Sequence, residues 1–218
     1  MSARIALIHA TRAAIDPVED AFSEVWPEAL HWSLLDEGLT KALDHAGHLI
    51  EEISERFIRL ANYAADTDID GMLFTCTAFG PAIEVCQRKF RFPTLKPNEA
   101  MFEEGLDRGD TIGLLASHPV TLTILREQLA VLAQERGRNV TIKPLLAKGA
   151  WNELCAGHTD CHDQKVIETA KGLEDCDAIL LAQFSMAPLT QAVQSNTQAV
   201  VVSSPHAAVR KMRGLIEK

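Results

Sequence analysis

Apolar residues fall along the chain in short dense runs separated by longer amphipathic stretches. The runs are RIALIHA (4–10), HWSLLD (31–36), GMLFTC (71–76), FPTLK (92–96), TIGLLAS (111–117), VTIKPLLA (140–147), AILLAQ (178–183) and AVVVSS (199–204). Runs this short and this uniformly apolar suit parallel strands covered by helices on both faces. The stretches between them keep helical spacing. Leu49, Ile50, Ile53, Phe57, Leu60, Ala61 and Ala64 recur at three- and four-residue steps, as do Val120, Ile124, Leu125, Leu129 and Leu132. Strand-like and helical segments that alternate in this way predict an α/β fold.

The pattern also repeats. A gapless shift of 107 residues lays DIDGMLFTCTAFGP (68–81) on DCDAILLAQFSMAP (175–188), so that Asp68, Asp70, Leu73 and Pro81 fall on Asp175, Asp177, Leu180 and Pro188. The same shift lays RIALIHA on TIGLLAS and PTLKPNEA (93–100) on VVVSSPHA (200–207). This predicts two similar lobes, each a four-stranded parallel sheet flanked by helices, related by pseudo-twofold duplication. The expected division is 1–97 with 205–218 for the first lobe and 98–204 for the second. The last helix, 205–217, is expected to cross back over the first lobe. Ligands of open parallel sheets bind beyond the carboxyl ends of the strands, so the expected site lies between the lobes at those ends.

Composition narrows the chemistry. Of 218 residues, 47% are hydrophobic and 23% charged, which excludes a disordered chain. No apolar run reaches the roughly 20 residues of a membrane span. The start, MSARIALIHA, reads as a strand rather than a cleaved leader. A net charge of −9 argues against nucleic-acid and anionic-membrane partners. Five cysteines at irregular spacing make a poor disulfide framework and favour a reduced, cytoplasmic chain. Cys86 and Cys176 read as small core residues. There is no GxGxxG, no GxxxxGK[ST] and no nucleophile-elbow serine. The cluster CAGHTDCH, with Cys155, His158, Cys161 and His162, has no familiar zinc spacing and reads as a capping loop, so no metal is expected.

The candidate site residues are those at the strand ends: His9 and Thr11; Thr75, Cys76 and Thr77; Asn98; Ser117 and Thr121; Gln183 and Ser185; and His206. Cys76 stands between two threonines, just before a helix that Pro81 would open. A helix N-terminus favours thiolate, so the reading is a thiol of lowered pKa, with Thr75 and Thr77 donating to a substrate carboxylate. Gln183 occupies the repeat-related position. An amide hydrogen-bonds but does not shuttle a proton near neutral pH. Ser117 and Thr121, flanking Pro119, read as an anion cradle at a strand-to-helix turn or as plain capping. Ser185 reads as a substrate hydroxyl, and His9 and His206 as acids, bases or satisfied polar residues.

These residues resemble the aspartate/glutamate/hydantoin racemase superfamily. The likeness is carried by IALIHAT (5–11), GMLFTCTAFGP (71–81), KPNEAM (96–101), IGLLAS (112–117) and AILLAQFSMA (178–187). It implies a cofactor-independent enzyme acting at a carbon next to a carboxylate of a small amino acid or carboxylic acid, and an assembly that often pairs. In two-cysteine members one thiolate removes the α-proton and the other thiol protonates the opposite face. The first cysteine carries over to Cys76 as base or nucleophile; the second has Gln183 in its place. The resemblance therefore implies a single-cysteine variant. Three functions stay open: an isomerase or racemase, a lyase or decarboxylase of the same superfamily, and a noncatalytic carboxylate-binding protein.

Overall fold

The computed structural model describes residues 2–218. It divides into two compact units, one ending at Glu99 and resuming over Ala208–Lys218, the other Ala100–Ala207. The first unit holds β1 (Arg4–His9), α1 (Ile15–Val25), β2 (Leu30–Leu35), α2 (Glu37–Ala46), α3 (Glu51–Ala65), β3 (Gly71–Phe74), α4 (Gly80–Lys89) and β4 (Thr94–Leu95). α5 (Glu99–Leu106) opens the second, which continues with β5 (Thr111–Ala116), α6 (Pro119–Glu135), β6 (Thr141–Leu146), α7 (Ala150–Cys155), α8 (Thr159–Ala170), β7 (Ala178–Leu181), α9 (Thr190–Gln194) and β8 (Val200–Ser203). α10 (Ser204–Ile216) returns the chain to the first unit. Among the described residues no helix is long and apolar enough to cross a membrane.

Both sheets are wholly parallel and have the same order, β2-β1-β3-β4 and β6-β5-β7-β8. The repeat extends to the register. Ile5 pairs with Gly71 and Leu7 with Leu73; 107 residues on, Ile112 pairs with Ala178 and Leu114 with Leu180. It extends to single bonds as well. The carboxylate of Asp70 accepts from the backbone of Arg4 at 2.8 Å, and that of Asp177 from the backbone of Thr111 at 2.8 Å. Each aspartate holds the start of one central strand against the start of its neighbour, which is why an aspartate stands directly before both β3 and β7.

Burial follows the topology. β3 and β7 are buried along their whole length, as strands covered on both faces must be. β2 and β6 are edge strands and remain half-exposed, and β6 tolerates Pro144 for that reason. β4 is cut to two residues by Pro93 and Pro97 on either side. In the first unit Phe57 of α3 stacks on Phe79 at 4.4 Å between ring centroids and lies 5.2 Å from Phe74. This trio fixes the end of β3 and the turn after it, where Cys76 lies. The returning half of α10 packs on the same sheet. A side chain at Gly71 would meet Met212 Sδ at 2.7 Å, so the absent Cβ is what lets the helix approach β3. The second unit closes its sheet with Leu114, Leu125, Leu129 and Leu180 on one face and Leu115, Val166, Leu181 and Met186 on the other.

Candidate active site

The carboxyl edge of the first sheet carries His9, Thr11, Thr75, Cys76, Thr77 and Asn98; that of the second carries Ser117, Thr121, Gln183, Ser185 and His206. Cys76 and Gln183 have the same backbone role. Each leaves its strand extended, at φ −122° and −137°, and caps a 3-10 turn, Thr77–Phe79 and Phe184–Leu189 respectively. α4 follows the first turn with Pro81 in its opening residues.

The Cys76 thiol is half-buried against the first unit's core, and desolvation pushes its pKa up to about 11, only partly offset by a hydrogen bond from the Ala78 N–H. The expectation of a thiolate is corrected here. A helix end lowers a thiol pKa where the sulfur keeps access to water or a cation; the apolar surroundings win at Cys76. At neutral pH the group is a thiol, an acid before it is a base.

Its threonine neighbours differ. Asn98, 3% exposed, donates from Nδ2 to Thr77 Oγ1 at 2.6 Å. Thr77 accepts that bond and keeps its own O–H for a ligand. Thr75 is buried, with Oγ1 2.9 Å from His9 Nδ1 and 3.3 Å from the Ile8 carbonyl. Its proton serves one of these two acceptors, so toward a ligand it offers lone pairs. The expected donation from Thr75 to a carboxylate is corrected accordingly.

His9 has no exposed surface and is engaged at both ring nitrogens, Nδ1 by Thr75 and Nε2 by Ser33 Oγ at 3.1 Å. Burial lowers its pKa to about 4. Ser33 in turn donates to Glu19 at 3.2 Å. A consistent arrangement has Thr75 O–H donating to Nδ1, Nε2–H to Ser33, and Ser33 O–H to the Glu19 carboxylate. His9 is thus a neutral link that orients Thr75 and reaches no ligand directly. Ser33 and Glu19 were beyond sequence reasoning, because nothing in a lone serine on an edge strand marks its partner. Thr11 precedes a 3-10 turn without capping it through its side chain.

In the second unit the cradle expected at Ser117 is already filled by the protein. The side-chain oxygen Oε1 of Gln183 accepts from the Ser117 N–H at 2.7 Å, the Ser117 hydroxyl at 3.0 Å and the His118 N–H at 3.2 Å. Thr121 sits in the first turn of α6, where its N–H meets His118 Nδ1 at a long 3.5 Å. His118, which also lies edge-on to Trp151 with ring centroids 5.5 Å apart, caps α6, a role not assigned to it from the sequence. The signal available was a cap-competent residue between the strand and Pro119. His206 Nδ1 lies 2.7 Å from Ser203 Oγ at the end of β8. The Ser185 hydroxyl oxygen is sealed from solvent and has no partner among the described residues.

The 155–162 cluster forms the end of α7, a turn and the start of α8. Gly157, at φ 82°, turns the chain between α7 and α8, His158 pairs with Glu153 at 3.0 Å, and Cys155 and Cys161 are exposed. Among the described residues no group of three or more His, Cys, Asp or Glu side chains is placed to hold a metal ion.

Comparison with known proteins gives three results. A family profile described as Asp/Glu/Hydantoin racemase matches residues 44–212. No curated protein sequence matches the chain. Among solved structures, similar folds include an allantoin racemase from Klebsiella pneumoniae (TM-score 0.74, 17% identity, 99% of this chain and 88% of that one). An aspartate racemase homologue from Pyrococcus horikoshii OT3 gives a TM-score of 0.73 at 17% identity, covering 99% of each chain. A glutamate racemase from Francisella tularensis in complex with D-glutamate gives 0.71 at 11% identity, covering 99% and 81%. At such identities the structural likeness speaks for the fold.

Proposed function

The chain belongs to the Asp/Glu/hydantoin racemase family, and from that premise we propose that it acts, without a cofactor, at a carbon next to a carboxylate of a small amino acid or carboxylic acid, with Cys76 as the group that moves the proton. The observation that carries this reading is the partly buried thiol at the end of β3 beside a Thr77 hydroxyl whose proton is left for a ligand by the bond from Asn98. A carboxylate held on Thr77 brings the adjacent carbon to the sulfur. Loss of the thiol proton to solvent gives a thiolate that takes the α-proton. The electron pair passes into the carboxylate as an enediolate, and the S–H returns a proton to the same carbon.

Gln183 occupies the repeat-related position, to which the family resemblance assigns the second thiol, and its amide has no proton to give near neutral pH. Solvent deuterium is therefore expected to enter a carboxylate substrate with retention of configuration. Incubating enantiopure aspartate, glutamate and 2-substituted succinates in D2O, and following label and chirality together, checks this. Inversion as fast as labelling would overturn one-face exchange and turn attention to His118 and His206.

The raised pKa of Cys76 favours a second reading, a lyase. There a carboxylate leaves as CO2, the C–C pair stays on carbon, the thiol protonates the carbanion, and the resulting thiolate regains its proton from solvent. The two readings differ in the sign of their pH dependence. A base that must first ionise makes kcat/KM rise with pH toward about 11; an acid that must stay protonated holds kcat/KM level and lets it fall as pH approaches about 11. The slope of kcat/KM between neutral pH and that limit, on whichever substrate turns over, decides between them.

A further inference from the structure

We propose that Gln183 is a specificity-determining residue whose side-chain NH2, locked outward by the grip on its carbonyl, takes an oxygen of a substrate carboxylate. The inference rests on the carboxylate reading above and names the group recognised at this edge of the second sheet. It starts from which end of the amide faces inward. Two of the three groups around Oε1 are backbone N–H donors, Ser117 at 2.7 Å and His118 at 3.2 Å, and an N–H can only donate. The atom they surround must be the amide oxygen. The Ser117 hydroxyl donates a third bond at 3.0 Å, which saturates that oxygen. Turning the amide over would set NH2 against two backbone donors.

The nitrogen end is consequently fixed. It carries two N–H donors and meets no acceptor among the described residues. On the same turn Ser185, two residues on, has a hydroxyl with neither water access nor a hydrogen-bond partner. Sealed from solvent, that hydroxyl is closed to a ligand as well, which corrects its expected role as a substrate hydroxyl and leaves the Gln183 NH2 as the donor this turn offers. The neighbouring Ser203 hydroxyl is already engaged by His206.

A donor-only, uncharged group of this kind selects for an acceptor. A carboxylate oxygen satisfies it; an ammonium, which is also donor-only, does not. A thiol at the same strand end would exchange a proton with a C–H. Gln183 instead holds an oxygen there, so the favoured ligand presents a carboxylate to this edge of the second sheet, and succinate is the simplest probe that carries one. Ser117 is a positioning residue, acting through the amide.

The test uses the full chain, 15N-labelled, titrated with succinate. The Gln183 side-chain NH2 signals, assigned by their disappearance in Gln183→Glu, are expected to shift saturably. Gln183→Glu is also the informative variant. Its carboxylate accepts the same three bonds, so the fold and the nest are kept, but an oxygen replaces the outward NH2 and repels the ligand. Succinate binding is expected to weaken about tenfold or more with no loss of melting temperature. Ser117→Ala should weaken binding less and broaden the NH2 signals as the amide loses its hold. Equal succinate affinity in wild type and Gln183→Glu, shifts confined to other residues, or no succinate binding by the wild type would each overturn the proposal. Proton exchange at a substrate without any response at Gln183 would sink the specificity role and leave the thiol reading standing. A response at Gln183 without exchange would do the reverse.

Discussion

Replacing Cys76 by alanine is expected to lower proton exchange, or carbanion protonation, by about 10²–10⁴-fold while leaving the protein folded. Both halves of the expectation follow from position. The thiol is the titratable group at the end of the fully buried central strand β3, and neither the Thr77 hydroxyl nor the Asn98 amide beside it can replace it as an acid or base. Its contribution to stability is small because the residue is not fully buried, the side chain is small, and it sits in extended backbone that alanine adopts freely. The cost should stay below the roughly 2–5 kcal/mol of truncating a large core side chain. Activity of variant and wild type, measured as deuterium incorporation, is to be read beside urea melts of both. Undiminished exchange in a folded Cys76→Ala would make the cysteine a packing residue. The companion Cys76→Ser tests the same point with volume kept, so a destabilised alanine variant still leaves a decisive comparison.

How far the sequence revealed this arrangement can be judged from the repeat. The dense apolar runs located all eight strands, and the shift of 107 fixed more than similarity of type. It put Asp70 and Asp177 in equivalent bonds and gave β1–β3 and β5–β7 the same register. A parallel sheet buried on both faces leaves a strong local imprint, because its central strands are apolar along most of their length. The strand-end residues could be listed for the same reason: they are where the apolar run stops.

The direction of each polar group could not be read. Thr75 and Thr77 flank one cysteine in sequence, yet one turns its hydroxyl to His9 and the other takes a bond from Asn98. Those partners lie far apart in the chain and are brought together by the β1–β3 pairing and by the path from β4 into α5. The Cys76 pKa was misjudged in sign for a related cause. A helix N-terminus can be inferred from Pro81 nearby, whereas desolvation depends on what packs around the sulfur. The Ser117 cradle was recognised as a set of donors, but its occupant, Gln183, is 66 residues away. That occupant was named from the repeat as a thiol replacement, without the bond that defines what it does.

The buried imidazole of His9 leads to the last expectation. Its pKa is about 4 in the folded protein and near 6.5 when unfolded, because burial penalises the charged ring. Above pH 6.5 neither state binds the proton and the residue contributes its full stability. Below 6.5 the unfolded chain takes up a proton that the folded one refuses, so stability falls as pH drops toward 4. At about 1.4 kcal/mol per pH unit, the loss across that window is about 3 kcal/mol. The upper part of the window is diagnostic, since exposed carboxylates remain ionised there. Urea melts at closely spaced pH values should therefore show stability declining from pH 6.5 to 5. The ring resonances of His9 should stay in the neutral position throughout, with no titration before unfolding. His9→Asn can keep a partner for Thr75 in place of Nδ1 but has nothing to protonate. It should start from a lower stability, for want of the bond to Ser33, and show a flatter pH dependence. A His9 ring that titrated near 6.5 in the folded protein, with stability unchanged, would mean that the chain from Thr75 through His9 and Ser33 to Glu19 is open to water, and the orientation of Thr75 would have to be assigned to its bond with Ile8 alone.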